Sequence, residues 1–289
     1  MLGQVLINAL GAASMYALVG VGFQLIFRTG KFFHFAHGAI ITIAPYAMWT
    51  AMRQWDMPVG VSLVWALLLS VSVGIALEAF CYRLIRKAGG TANILLLASL
   101  GLFIAIQSLI AAYFGSEAKS LRSSPILNGY TIDGVPITAS QIAIVAGAVC
   151  CLAGVQLFLN FTQGGKCFQA VSSNVEMARI IGISVDRIYM AAMSISSLMG
   201  AIAGILLSYD VDMRPTMGLA PATNAVVAVI IGGRTVAGII GASILLGIVQ
   251  HFGAIWISSR WQDAVTFIML IIFLLLKPRS KKWLAKTDL

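Results

Sequence analysis

The chain has 289 residues, 60% of them hydrophobic and only 10% charged, with a formal charge of +9. Soluble domains carry about 25% charged residues, so a soluble enzyme is excluded, and the mean hydropathy of +0.94 points to a lipid bilayer. The basic excess reads as loop charge on the cytoplasmic side of a membrane, not as a nucleic-acid footprint.

Apolar runs recur along the chain, many near the roughly 20 residues that a spanning helix needs. They predict an all-α polytopic membrane protein with about eight transmembrane helices plus short re-entrant or half-helix segments. No polar stretch is long enough for a separate soluble domain, so residues 1–289 are read as a single transmembrane domain.

The first run is Val5–Phe27. No Lys or Arg precedes Arg28, so no positive n-region exists and the run is expected to persist as a span. A lead-in rich in His, Phe and Gly follows, then residues 38–51. His34 and His37 stand three apart and share a face on a helix. Structural hydrogen bonding, conformational gating and a metal or proton relay are all open to this pair. No nearby Cys, Asp or Glu completes a metal site. Phe32, Phe33 and Phe35 read as core or interfacial anchors.

Spans are expected at 60–82 and 92–114. Glu78 lies close to Arg83 and reads as snorkelling or paired. Gln24, Asn93 and Gln107 are weaker pathway candidates. The loop from Gly115 to Ala139, with Pro125, Asn128–Gly129 and Asp133–Gly134, is dominated by turn chemistry.

Residues 140–160 predict the next span, and residues 161–187 form a polar island before the span at 188–209. Within it, Asn174 suits a helix N-cap and Glu176 suits the first turn. Met177, Ile180 and Ile181 form an apolar stripe at helical spacing, flanked by Arg179, and Gly182 suits a left-handed stop. This predicts one short amphipathic helix, either docked in a groove on another protein or packed back on its own bundle. The Gly164–Gly165–Lys166–Cys167 run fails as a phosphate loop, because Asn160 stands where Gly is needed and Cys167 where Ser or Thr is needed. The chain is therefore read as no enzyme, with no cofactor and no metal of its own.

Gly200 and Gly204 make a small-xxx-small pair that favours tight helix packing. Asp210–Pro215 is a short charged loop. Residues 221–232 are too short to cross as a helix, and Thr223 and Asn224 within them are candidate pathway residues with His34 and His37. Spans at 236–252 and 262–276 complete the chain, with Gly238, Gly241 and Gly247 read as packing glycines. Cys81, Cys150, Cys151 and Cys167 form no CxxC pair and read as small buried hydrophobes.

With the N-terminus outside, the inner loops hold Arg28, Lys31, Arg83, Arg86, Lys87, Lys166, Arg179, Arg187, Arg234 and the tail Lys277, Arg279, Lys281, Lys282 and Lys286. The outer loops hold Arg53, Lys119, Arg122, Arg214 and Arg260. The positive-inside rule then places the island and the C-terminus in the cytoplasm.

Three stretches together resemble the LivH-type permeases, membrane subunits of bacterial ABC importers for branched-chain amino acids. They are Gly30–Lys–Phe–Phe–His–Phe–Ala–His–Gly38, Asn174–Val–Glu–Met–Ala–Arg–Ile–Ile–Gly–Ile183 with Asp186–Arg187, and Gly218–Gly247. The opening Leu6–Leu18 is similar in style. His34 replaces the family's Asn, Gln169 replaces a common Arg, and Arg234–Gly238 and the Lys277–Lys282 tail also depart.

The resemblance implies a multi-pass subunit of the bacterial inner membrane. It would translocate a small solute, branched-chain or other apolar amino acids, by alternating access. Urea and short amides are the alternative solutes, and a gradient-driven secondary transporter is the alternative mechanism. The implied partners are two ATP-binding subunits that hydrolyse the ATP, a second permease subunit (homologous or identical), and an extracytoplasmic solute-binding protein. The island at 161–187 would be the segment that couples to the ATPases.

Overall fold

The computed structural model describes residues 2–122, 129–132, 135–256, 258 and 261–276. Pro125, Asn128, Asp133–Gly134, Arg260 and the basic tail from Lys277, on which the sequence reading drew, lie outside them.

The chain begins with α1 (Leu2–Gly30), α2 (His37–Arg53) and α3 (Val59–Ala76). A π-helical turn (Leu77–Tyr82) joins α3 to α4 (Arg83–Lys87), and α5 covers Ala92–Phe114. The antiparallel hairpin β1 (Gly129–Ile132) and β2 (Val135–Thr138) follows, pairing Gly129 with Thr138. Then come α6 (Ala139–Phe161), α7 (Gln163–Ser173), α8 (Val175–Ile180) and α9 (Val185–Asp210). The last elements are α10 (Leu219–Gly232), α11 (Val236–Trp256) and α12 (Gln262–Leu276). Among the described residues, 6 helices are long and apolar enough to cross a membrane, with α10 and α12 shorter.

The bundle is organised around α1, which packs on α6, α9, α10 and α11. Its middle, from Leu18 to Ile26, is buried on every side, as expected of a helix that is hydrophobic all round. By contrast α3, α5 and α6 turn Leu68, Leu97, Leu109 and Leu157 outward. Those faces suit lipid or another apolar surface.

Contacts fix two ends. At one, Gln141 at the start of α6 donates to Asn8 of α1 (3.0 Å), and Ser140 donates to Asp210 at the end of α9 (3.2 Å). Arg122 pairs with Asp212 at 3.4 Å, and Lys119 bridges Met213 backbone to backbone. The two outer loops singled out in the sequence thus hold each other. We call this the hairpin end. At the opposite, island end, Lys31 donates to the Ser172 carbonyl (2.8 Å) and Gln24 to the Gly233 carbonyl (2.9 Å).

Two stretches cross part of the depth without helix. Residues 31–36 return from the island end to His37 in an unwound course, and 211–218 lead from the hairpin end to Gly218, which meets Gly38 and Thr42. Unwound backbone inside a membrane protein needs internal partners. Ser99 of α5 supplies them: its hydroxyl accepts from the Phe35 amide (3.2 Å), and its one proton is shared between the Leu96 carbonyl of its own helix (2.8 Å) and the Phe33 carbonyl (3.1 Å). Phe32 and Phe33 are core, packed on Tyr82 and on Phe23 and Phe27.

Glu78 is paired, one of its two expected states, and its partner is Arg86, two turns on, while the nearer Arg83 pairs with Asp186 of α9 at 2.8 Å; the π-helical turn shifts the register between them. Other expectations need correction. Cys150 is exposed and Cys167 half-buried, against expectation, whereas the half-buried Cys81 and Cys151 pack against the core; all four are free thiols. Gly241 meets nothing, whereas Gly238 and Gly247 abut the Gly232 and Ala9 carbonyls.

Candidate functional site

The island folds as two helices, not one. The reading that reduced it to one short helix missed α7, whose N-cap is Thr162, accepting from the Gly165 amide at 2.9 Å. Ser172 and Ser173 end α7 instead of starting α8. The double glycine is a packing turn, since a side chain at Gly165 would strike the Phe158 and Leu159 backbone.

The short helix α8 has the expected ends. Asn174 Oδ1 accepts from the Met177 amide at 3.0 Å. Gly182 sits at φ 84°, and the Ile183 amide bonds the Ala178 carbonyl at 2.9 Å, the 6→1 bond of a Schellman stop. Ala178 is buried beside Val171, Val185 and Tyr189, which fixes one face of α8 on α7 and α9. The other face is open: Met177 is 56% exposed, Ile180 78% and Ile181 65%. Glu176 and Arg179 flank it and are exposed. The stripe therefore does not pack back on its own bundle.

Beneath the island, Arg86 lies 4.3 Å over the Tyr189 ring. The π-helical turn next to it carries Tyr82, whose hydroxyl bonds His34 Nδ1 at 3.0 Å. His37 Nδ1 bonds Ser196 of α9 at 3.3 Å. If each hydroxyl donates, both imidazoles carry the proton on Nε2. Both rings are fully buried, and His37 lies against Gly22 and Gly200. The pair acts as a tie between α1, α2, α9 and the π-helical turn.

Near the hairpin end a cavity of about 650 Å³ opens among α1, α6, α9, α10, α11 and α12. Asn224 lines it, as do Asn8, Tyr16, Gln141, Gln250 and Asp263. Tyr16 donates to Gln250 Oε1 at 2.7 Å, and the Gln250 amide reaches Asn224 Oδ1 at 3.5 Å and Thr266. Gln250 and Asn224 are buried amides deep among apolar helices, which is where a membrane protein places groups that face a cavity.

The family model described as "Branched-chain amino acid transport system / permease component" matches residues 5–274. The chain belongs to this family. It is 26% identical to the high-affinity branched-chain amino acid transport system permease protein LivH of Escherichia coli K12, over 95% of this chain and 93% of that one. It is 27% identical to BraD, named for the same system, of Pseudomonas aeruginosa, over 95% of this chain and 94% of the relative. The xylose transport system permease protein XylH of Escherichia coli K12 is 28% identical over 54% of this chain and 40% of its own length. Among solved structures, PsaBC from Streptococcus pneumoniae in complex with Fab covers 97% of this chain and 93% of its own at 14% identity and a TM-score of 0.51, a likeness of fold.

In this branched-chain-type permease the sequence-derived pathway residues do not converge. Asn224 faces the cavity. Thr223, one residue earlier, is half-buried and absent from the cavity wall, and it bonds its own helix at the Leu219 and Ala220 carbonyls. His34 and His37 are absent from the cavity wall. Gln24 holds the α10–α11 turn, and neither Asn93 nor Gln107 lines the cavity. Sequence reading missed Tyr16, Gln250 and Asp263. The Gln250–His251 pair inside an apolar run was the available signal. Among the described residues no group of three or more His, Cys, Asp or Glu is placed to hold a metal.

Proposed function

We propose that the chain is the membrane-spanning subunit of a bacterial ABC importer that moves a small solute by alternating access. In this reading residues 1–289 are one permease domain. ATP is hydrolysed in two partner subunits, one of which docks on α8. A second permease subunit and an extracytoplasmic solute-binding protein complete the assembly. The observation that carries the reading is the open stripe of Met177, Ile180 and Ile181 on a helix capped at both ends and clamped to the start of α9.

The clamp suits force transfer. A push on α8 reaches α9 through Ala178, Val185 and Tyr189, and Arg83–Asp186 carries it to the span that begins at α3. The island end is the cytoplasmic end in this reading. It gathers Arg28, Lys31, Arg83, Arg86, Lys166 and Arg234, among others, whereas the hairpin end carries Arg53, Lys119, Arg122 and Arg214. Burial and the neighbouring Arg234 and Arg28 push the Lys31 ammonium down from its ordinary value, as expected in a crowd of like charges.

The solute is an apolar amino acid in this proposal, on the strength of the LivH and BraD relatives; urea, short amides and, from XylH, a sugar are the rivals. Ile180→Cys and Met177→Cys, expressed with the cognate ATPase in inner-membrane vesicles, are expected to crosslink to it. Ala178→Cys is expected to stay unreacted because Ala178 is buried. No crosslink at either exposed position would overturn the docking.

A further inference from the structure

The cavity at the hairpin end has a distinctive wall. Its lining combines apolar side chains, Met15, Ile144, Leu207 and Pro221, with amides and two carboxylates, Asp210 and Asp263. Asp210 gives one oxygen to the Ser140 hydroxyl at 3.2 Å. Asp263 makes no ion pair among the described residues. Among the described residues no Lys or Arg lines the cavity; His251 does, its Nδ1 bonded to the Gly247 carbonyl at 3.0 Å.

This wall sorts ligand chemistries. Two carboxylates in one cleft, with no Lys or Arg among its described lining residues, draw in a ligand that brings positive charge. A polyol brings none and offers little apolar surface to Met15, Ile144 and Leu207. A solute with a carboxylate alone is repelled. The buried Gln250–Asn224 pair, 1% and 5% exposed, adds amide groups that a polar head can use without a second charge.

We propose that this cavity is an entry site that recognises solutes by an ammonium group. The cationic amine sits between Asp210 and Asp263, and a short aliphatic part lies against Met15, Ile144 and Leu207. The proposal rests on the permease reading for the direction of travel and deepens it by naming the recognised group. It separates amine-bearing solutes from urea and sugars, and it assigns the discrimination to two residues.

The test uses the assembled transporter in proteoliposomes, with the four native cysteines replaced and Ala220→Cys placed on the cavity wall. Ala12→Cys, also on the wall, repeats the test where Ala220→Cys assembles poorly. Cationic and anionic thiosulfonate reagents of matched size are compared. The cationic reagent is expected to react roughly tenfold or more faster, the range in which a charged cleft concentrates its counter-ion. Asp210→Asn and Asp263→Asn each reduce that ratio several-fold. Leucine and 3-methylbutylamine slow the labelling, while 4-methylpentanoate, urea and xylose do not. Equal rates for the two reagents, no change in either Asn variant, or protection by xylose or 4-methylpentanoate equal to that by the amine overturns the proposal. ATP-driven uptake in the same vesicles is read separately. Charge selection without uptake of any solute keeps the site and removes the permease reading; uptake without charge selection does the opposite.

Discussion

Gly204 of α9 closes over the Ile41 carbonyl of α2, so tightly that a Cβ there would run into the oxygen. The partner is not arbitrary. Pro45 stands four residues after Ile41 inside α2 and has no N–H to give it. A missing donor in one helix thus faces a missing side chain in the other. Gly204→Ala is expected to destabilise the bundle by about 1–3 kcal/mol, as overpacking does, read as a lower melting temperature in detergent. Gly241→Ala is the control, since nothing lies within 4 Å of it; there Ala should be neutral or slightly stabilising. Equal melting temperatures for both variants would refute the close approach.

Glu78 is buried, and its ion-pair partner is Arg86. Removing one partner of a buried pair leaves a desolvated charge and costs about 3–5 kcal/mol. Arg86→Ala also loses the contact over Tyr189. It should therefore be more damaging than Arg86→Ala combined with Glu78→Gln, in which no carboxylate is stranded. Thermal melts of the two variants decide it, and a double variant no more stable than the single one contradicts the pairing.

Ser99 holds the unwound course of residues 31–36 by bonding both Phe33 and Phe35. Ser99→Ala leaves the part-buried Phe35 amide without this acceptor and the Phe33 carbonyl without its share of the hydroxyl proton, at an expected cost of about 1–3 kcal/mol. Ser194→Ala removes a hydroxyl whose bond is to the Met190 carbonyl of its own helix, so it should change stability by no more than about 0.5 kcal/mol. The difference between the two melts is the measurement.

Much of the fold was legible because membrane helices are written in hydropathy. The runs at 92–114, 140–160 and 262–276 fall within two residues of α5, α6 and α12. The caps of α8 were legible too, since Asn at a start and Gly at a stop act through their own backbone neighbours. Depth and partner were not. Nothing local tells that Asn224 lines the cavity while Thr223 does not, or that Glu78 reaches Arg86 past a π-helical turn. The cavity escaped for the same reason: Tyr16, Gln250 and Asp263 are far apart in the chain and meet only after α1, α11 and α12 pack. The helix α7 was hidden because its glycines were weighed only against a phosphate loop, although Gly165 serves close packing on the end of α6.

The docking of α8 makes a prediction that separates binding from folding. Ile180 is 78% exposed, so Ile180→Asp should leave the melting temperature of the isolated permease unchanged. Burying an Ile against a partner is worth about 1.5–3 kcal/mol, a tenfold to hundredfold effect on affinity, so the same variant should lose most of the ATPase on co-purification. Gly182→Ala tests the other half of the device. At φ 84° a Cβ costs about 1–2 kcal/mol, enough to fray a helix of 6 residues but not the bundle. That variant should keep its fold and bind the ATPase more weakly, while its solute-stimulated ATP hydrolysis falls. An Ile180→Asp complex that co-purifies and hydrolyses ATP like the parent shows that α8 is not the contact.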